Sequence, residues 1–172
     1  MFAELTTVRW DVVELNETWR ETKEETWTIA GHLFLGSGGS KGSNGVAVIL
    51  HRRWAKGFQS FKAVSDRVCS VDVNINERRL RFIAVYMPTA WHPEAAADGV
   101  YTELTGLYCE ARRLKRTVIL LGDFNAVVGQ QIARDSVLAV GKHGLGNRNE
   151  RGQLLVDWVS SHSLMILSTR FR

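Results

Sequence analysis

Asp123 and Asn125 are the first candidates for chemistry, because they follow a short apolar run that predicts a strand buried on both faces. The run is Val118–Leu121, and Gly122 ends it. In an extended chain, side chains two residues apart point to the same side, so a carboxylate and a carboxamide converge there. Polar groups just past a strand, on a loop held by a rigid sheet, commonly form functional sites. An Asx-type turn explains the same residues equally well, since Gly, Asp and Asn all favour turns.

Glu17 is the second candidate, because it follows the strand-like segment Trp10–Leu15. A carboxylate is a hard oxygen ligand of the kind that Mg²⁺ prefers, and Mg²⁺ takes only one or two protein carboxylates. Its position after a strand alone makes Glu17 only slightly better as a candidate metal ligand than the neighbouring glutamates. Those are interpreted as solvated charges: Glu14, Glu21, Glu24 and Glu25.

Tyr86 lies at the end of the clearest hairpin in the sequence. Val68–Ile75 alternates apolar and polar residues, a polar turn follows, and Leu80–Met87 continues as a strand. Core packing with a hydrogen-bonded hydroxyl would explain a tyrosine at this position. Arg67 stands just before the hairpin, where an ion pair with a nearby acid would explain it.

The remaining elements predict an α/β architecture with a crossover connection. Ala90–Arg116 carries apolar residues at helical spacing, and the strand that ends at Gly122 follows it. A second helix is predicted over 150–162 with Asn149 as its N-cap, and a last strand over Leu164–Leu167. Three shorter stretches complete the pattern: strands over 26–35 and 46–50, and a Gly/Ser-rich hairpin connection between them over 36–45.

Bulk composition is that of an ordinary globular domain. The chain has 172 residues, 22 Lys plus Arg against 18 Asp plus Glu, and a net charge of +4, which is compatible with a nucleic-acid partner but does not require one. His51–Trp54 is a basic, aromatic patch; such patches are usually solvated, but at a substrate rim one could contact phosphates. Two cysteines form no metal or disulfide pattern. Without a signal peptide or a run long enough to span a membrane, we expect an intracellular protein with no membrane contact.

Four stretches together resemble the endonuclease/exonuclease/phosphatase family, which includes DNase I-like nucleases. They occur in the family's order over nearly the whole chain: WDVVELNETW at 10–19, FIAVYMPTA at 82–90, GDFN at 122–125 and GLGNRNERGQLLVDWV at 144–159. Each motif is short, but four in the right order are specific. The last stretch is most similar to the endonucleases of non-LTR retrotransposons, which occur in endonuclease–reverse transcriptase proteins.

The resemblance implies a four-layer α/β/β/α sandwich of the DNase I-like type, within the α/β (α+β) class. It also implies an endonuclease that nicks DNA with Mg²⁺ (or Mn²⁺). On the matching positions, Glu17 and Asp123 would hold the metal, and Asp123 would also orient or deprotonate the attacking water. Tyr86 and Asn125 would hydrogen-bond phosphate oxygens, and Arg67 would be a further phosphate contact. A nuclear location follows from the same resemblance.

The sequence also departs from the family's pattern. Asn16 stands where the family usually has Gln, and the family's first-strand Asn and C-terminal Asp–His pair have no counterpart among residues 1–172. We therefore expect a partial domain over 1–172, incomplete at both ends. Two hypotheses follow: an impaired retrotransposon-derived endonuclease, or an inactive remnant that at most binds nucleic acid or a protein. In both, we expect this chain to nick DNA feebly or not at all.

Overall fold

The computed structural model describes residues 5, 7–39 and 44–171. The chain divides into two compact units. The first comprises Met1–Met87 and Ala95–Asp123, and the second comprises Pro88–Glu94 and Phe124–Arg172. Among the described residues, every helix is too short or too polar to span a lipid bilayer.

The first unit contains two four-stranded sheets. The strands of the first sheet are all antiparallel to their neighbours and lie in the order β1-β4-β3-β2. Their bounds are β1 Val12–Asn16, β2 Glu25–Ile29, β3 His32–Ser37 and β4 Val46–Leu50. The predicted single strand over 26–35 is therefore wrong: it is split between β2 and β3. Ala30 and Gly31 take φ angles of 50° and 80° there, which suits a tight two-residue hairpin turn. The Gly/Ser-rich stretch does connect two antiparallel strands, as predicted, although residues 40–43 lie outside the described residues.

The second sheet has the order β5-β6-β7-β8. Its strands are β5 Phe58–Ala63, β6 Val68–Ile75, β7 Arg78–Tyr86 and β8 Thr117–Asp123. The predicted hairpin is confirmed, since β6 and β7 pair antiparallel, and β8 pairs parallel to β7. The helix α2 (Glu94–Arg113) supplies the long connection that a parallel pair requires, and a short helix α1 (Arg52–Ala55) follows β4. β8 is an edge strand and only half-buried, so the expectation of a strand buried on both faces is wrong.

Alternating side chains of the two sheets form one core between them. Leu35, Val46, Val48 and Leu50 of the first sheet pack with Cys69, Val71 and Phe82 of the second, and all are buried. The first unit is thus a sandwich of two sheets with helices, and the α/β (α+β) sandwich predicted for this chain is confirmed. Of the two cysteines, Cys69 lies within this core, whereas Cys109 is exposed on α2.

A buried ion pair links the second sheet to α2. Arg81 and Asp72 are register partners on β7 and β6, and both are about 5% exposed as side chains. Arg81 donates two hydrogen bonds to Asp72, at 2.7 and 2.9 Å, and one to the Leu107 carbonyl at 3.1 Å. Glu110 accepts a further hydrogen bond from Arg81 at 2.9 Å. Because every charge here is paired, the desolvation of the two groups is offset by hydrogen bonds that tie the helix to the sheet.

The second unit is organised around α3 (Glu150–Ser161), which agrees with the predicted helix. Asn149 is its N-cap, as predicted, and its side chain accepts hydrogen bonds from the backbone N–H of Gly152 at 2.7 Å and of Val127 at 3.1 Å. Arg148 forms a bidentate ion pair with Asp135 at 2.7 and 2.6 Å. A Cβ on Gly152 would lie 1.9 Å from the Val127 carbonyl oxygen, so only glycine fits there. The GLGNRNERG stretch therefore holds the loop to the start of the helix.

The predicted last strand is wrong. Leu164–Ile166 is irregular, and Leu167–Thr169 forms one turn of 3₁₀-helix. The Thr169 hydroxyl accepts a hydrogen bond from the Gly141 N–H at 2.7 Å, and the Ile166 N–H donates to the Ala139 carbonyl at 2.8 Å. Leu164 and Ile166 pack against the apolar face of α3, which is why an alternating apolar stretch takes this conformation instead of pairing in a sheet.

Candidate active site

Glu17 and Tyr86 meet at one end of the sandwich in the first unit. The Tyr86 hydroxyl donates a hydrogen bond of 2.5 Å to Oε1 of Glu17. Glu17 directly follows β1 and Tyr86 is the last residue of β7, so each strand end delivers one of the two side chains. This hydrogen bond, followed by partial burial, raises the pKa of the Tyr86 phenol above its usual value, because the bond stabilises the protonated form beside a carboxylate.

The backbone around Glu17 is held by the loop that precedes β4. Glu17 has a φ of 52°, in the left-handed region. The N–H groups of Thr18 and Trp19 donate to the carbonyls of Gly45 and Asn44, at 3.1 and 3.0 Å. These paired backbone groups fix an unusual conformation at a residue whose side chain remains exposed, a feature often found at functional sites.

Asp123 is brought to the same end by the parallel pairing of β7 and β8. It is the register partner of Tyr86, and its carbonyl accepts a hydrogen bond from the Met87 N–H at 2.9 Å. Gly122 has a φ of 139°, and a Cβ there would lie 1.9 Å from the Val85 carbonyl oxygen. Any other residue would push the two strands apart, so this glycine sets the position of Asp123.

Glu14 is a fourth member of the site, and the sequence interpretation of it as a solvated charge is wrong. It is half-buried on the core-facing side of β1, and its pKa is raised from 4.5 to about 7. Burial is the larger cause, and the nearby Asp123 carboxylate is the second. The sequence alone could have predicted this orientation of Glu14. Val12 and Glu14 are two residues apart, so the strand period places both on the face that packs against the second sheet.

Asn16 connects two of the three carboxylate-bearing residues of this cluster, Glu14 and Asp123. With its amide oriented to satisfy both neighbours, its nitrogen donates to Glu14 Oε1 at 2.5 Å and its oxygen accepts from the Asp123 N–H at 3.0 Å. The shorter amide that stands here in place of the family's glutamine therefore has two partners. We infer that it holds β1 against the end of β8.

Arg67 lies against Tyr86. Its guanidinium carbon is 5.2 Å from the centre of the tyrosine ring, and Nη1 donates to the Tyr86 carbonyl at 3.3 Å. Nη2 donates to the side-chain oxygen of Asn44 at 3.2 Å. Among the described residues, no carboxylate lies within ion-pair distance of Arg67, so the predicted ion pair with a nearby acid is absent there. Arg67, the phosphate contact that the family resemblance implies, thus lies beside Tyr86.

Asn125 belongs to the second unit. β8 ends at Asp123, and Asn125 has a φ of 45°, so the chain is not extended between these two residues. The predicted extended chain, which would point the side chains of Asp123 and Asn125 to one side, is therefore wrong. The left-handed conformation agrees with the Asx-type turn that the same residues also predicted.

The donor atoms of the cluster suit a hard divalent cation. Glu14, Glu17 and Asp123 offer carboxylate oxygens, and Mg²⁺ takes one or two of these and keeps several waters. Across the part of the chain that the structure describes, no three His, Cys, Asp or Glu side chains lie close enough together to ligate one metal ion. The residues present thus fit a largely hydrated cation and not an all-protein cage.

The model of the endonuclease/exonuclease/phosphatase family matches residues 2–152, and the chain belongs to this family. Among curated proteins it is similar to Craniofacial development protein 2 of Bos taurus, with 30% identity over 129 residues, which is 75% of this chain and 21% of that protein. The protein of the same name from Tragulus javanicus is also 30% identical over 129 residues. The chain therefore spans about a fifth of the length of these relatives.

Proposed function

We propose that this chain is a Mg²⁺-dependent (or Mn²⁺-dependent) phosphodiesterase that nicks DNA. The observation that carries the proposal is the hydrogen bond between Tyr86 and Glu17 at the strand end where Asp123 is the register partner of Tyr86. Four of the five residues to which the family resemblance gives a role lie together at this end of the sandwich: Glu17, Arg67, Tyr86 and Asp123. Membership of a nuclease and phosphatase family supports the same class of reaction.

In this proposal Glu17 and Asp123 hold the metal ion. The Tyr86 hydrogen bond uses Oε1 of Glu17, and a carboxylate has a second oxygen and further lone pairs to offer. When bound, the cation would stabilise negative charge on the phosphate and on the leaving oxygen. Glu14 adds a third acidic group close to Asp123, and its raised pKa keeps part of the population neutral near pH 7, which limits repulsion between the carboxylates.

The remaining residues act on the substrate. Asp123 is exposed and is proposed to orient or deprotonate the attacking water. Tyr86 has one hydroxyl proton, so its donation to a phosphate oxygen would replace its present hydrogen bond to Glu17. Arg67, stacked on the tyrosine ring, supplies a guanidinium for the phosphate, and Asn125 is proposed as a further hydrogen-bond donor on the strength of the family motif.

Plasmid nicking tests this function. Supercoiled plasmid is incubated with the chain in Mg²⁺, in Mn²⁺ and in EDTA, and the open-circular product is measured. We expect slow nicking that requires a divalent cation and disappears in Glu17→Gln. The matched control is Glu24→Gln, which changes an exposed glutamate of the same unit and should nick like the wild type.

Equal nicking in EDTA, or undiminished nicking by Glu17→Gln, would refute the metal role of Glu17. Complete inactivity of the wild type would favour the non-catalytic alternative. Electron paramagnetic resonance of Mn²⁺ then distinguishes two cases. A Glu17-sensitive cation site without nicking identifies an inactive binding module, whereas no cation binding refutes the proposed site as a whole.

We also propose a non-LTR retrotransposon origin for the chain. The support is the GLGNRNERG stretch, in which Arg148, Asn149 and Gly152 hold the loop and the start of α3 together. The proposal rests on the similarity of this stretch to the endonucleases of non-LTR retrotransposons. The genomic sequence that flanks this reading frame provides the test, because an adjacent reverse transcriptase would support the proposal and a host-gene context without one would contradict it.

A further inference from the structure

A basic cavity lies at the opposite end of β1 from the candidate active site. Asn16, next to Asp123, ends the strand, whereas Trp10 and Asp11 precede its first residue. Four residue steps along a strand separate these ends by about 13 Å. The basic, aromatic patch His51–Trp54 lies at this far end, because the His51 N–H donates to the Asp11 carbonyl at 2.9 Å.

Cationic and aromatic side chains dominate the lining of this cavity. Its volume is about 350 Å³, within the range of about 300–1,000 Å³ that is typical of small-molecule sites. None of the described residues that line it carries a carboxylate. The polar and aromatic lining residues are Arg9, Trp10, His32, His51, Arg52 and Arg53.

Three rings form a cluster within the lining. The ring centre of Trp10 is 4.9 Å from those of His32 and His51, and the two imidazoles are 4.7 Å apart. Nδ1 of His32 accepts from the Arg52 N–H at 3.1 Å, and Nδ1 of His51 accepts from the Arg53 N–H at 3.3 Å. Because each Nδ1 is an acceptor, each neutral imidazole carries its proton on Nε2 and is a donor there.

Charge within the cavity is only partly compensated. Arg53 pairs with Asp11 at 2.6 Å, and Asp11 also accepts from the Trp54 indole. Arg52, by contrast, has no ion-pair partner among the described residues. Burial and then the charges of Arg53, His32 and Arg52 lower the pKa of His51, so the local potential is positive and favours an anion.

We propose that this cavity is a nucleotide-binding site that holds the phosphate with Arg52 and the Nε2–H group of His51 and stacks the base on Trp10. A guanidinium with free donors matches a phosphate in charge and in geometry. An indole offers a stacking surface for any base, which explains why the aromatic group and the cations occur together. This site is separate from the carboxylate cluster and requires no metal ion.

Calorimetric titration of the full chain with 2′-deoxyadenosine 5′-monophosphate, in EDTA, tests the proposal. We expect the nucleotide to bind more tightly than either inorganic phosphate or deoxyadenosine. Arg52→Ala should weaken nucleotide binding about tenfold, the effect of losing one charge-assisted contact. Lys56→Ala is the matched control, because it removes an exposed cation four residues away that does not line the cavity, and its affinity should stay at the wild-type value.

Two further variants test the role of Trp10 and the independence of the two sites. Trp10→Leu should bind the nucleotide only as tightly as it binds inorganic phosphate, and thermal unfolding checks that the variant keeps its fold. Glu17→Gln should bind the nucleotide like the wild type, because the cavity is separate from the carboxylate cluster, so this result does not depend on whether the chain is a nuclease. Equal losses in Arg52→Ala and Lys56→Ala would overturn the proposal, and so would equal affinities for the nucleotide and for inorganic phosphate.

Discussion

Glu14→Gln is expected to stabilise the folded chain above pH 7 and to leave its stability unchanged near pH 4. The folded protein raises the pKa of Glu14 from 4.5 to about 7, so it holds a proton that the unfolded chain releases between these values. The stability that the neutral carboxyl contributes is fully present below pH 4.5 and is lost as the pH rises through 7. Glutamine has the same shape as the protonated acid and cannot ionise, and its side-chain oxygen can still accept the hydrogen bond from Asn16.

The magnitude follows from the same pKa values. A rise from 4.5 to about 7 corresponds to about 3.4 kcal/mol, at 1.36 kcal/mol for each factor of ten in proton affinity. Glu14 is only half-buried, so solvent screening reduces this to about 1–2 kcal/mol at pH 8. Mg²⁺ should reduce the difference in the free energy of unfolding between Glu14→Gln and the wild type, because a cation beside Asp123 would stabilise the ionised Glu14.

Urea unfolding at pH 4, 6 and 8 measures the effect, with the wild type, Glu14→Gln and Glu24→Gln compared in one buffer series. Glu24 is exposed, so its variant should follow the wild type at all three pH values. A constant offset of Glu14→Gln across the series, or a loss of stability at pH 8, would show that the ionised carboxylate has a compensating partner. Burial of an uncompensated carboxylate would then not be the cause of the raised pKa of Glu14.

Three other variants have defined outcomes. Asp123→Ala should change the free energy of unfolding by less than about 0.5 kcal/mol while abolishing nicking, because the side chain is exposed; a loss of several kcal/mol in urea would make Asp123 structural. Tyr86→Phe should remove nicking and lose about 1 kcal/mol, the net value of its hydrogen bond, with circular dichroism in urea as the readout. Arg81→Met should destabilise the chain by about 3 kcal/mol or more, because it leaves the Asp72 carboxylate buried with Arg116, at 3.0 Å, as its remaining cation. An Arg81→Met protein as stable as the wild type would show that packing, and not the ion pair, holds α2 on the sheet.

The regular elements were largely predictable from the sequence, because their periods are long and clear. Alternation over Val68–Ile75 identified β6, and helical spacing identified α2 and α3, with Asn149 as the cap of the latter. The β2–β3 hairpin was missed because Ala30 and Gly31 make its turn without the usual Asn-Gly or Asp-Gly signal. The prediction of a final strand over Leu164–Leu167 was wrong because packing against α3 determines the conformation of this short apolar stretch.

The candidate site was proposed from family motifs, because local chemistry alone does not single out its residues. Nothing in the spacing of Glu17 and Tyr86 foretells their contact, since 69 residues separate them and only the sandwich brings both strand ends together. Glu14 was not predicted as a site residue because it is one of several glutamates close together in the sequence, although the strand period already placed it toward the core. Asn125 lies past the end of β8, where the extended geometry assumed for it no longer applies.

The contrasting surroundings of the two cysteines give the chain a built-in chemical reporter. Burial raises the pKa of the Cys69 thiol well above its ordinary range, so this sulfur is neither accessible nor ionised in the folded state. Cys109 is open to solvent on α2. A maleimide dye should therefore label one thiol of the native protein and two after denaturation. The rate at which the second thiol becomes reactive would measure how often the sandwich opens, and a single dye on α2 would follow its motion without any engineered residue.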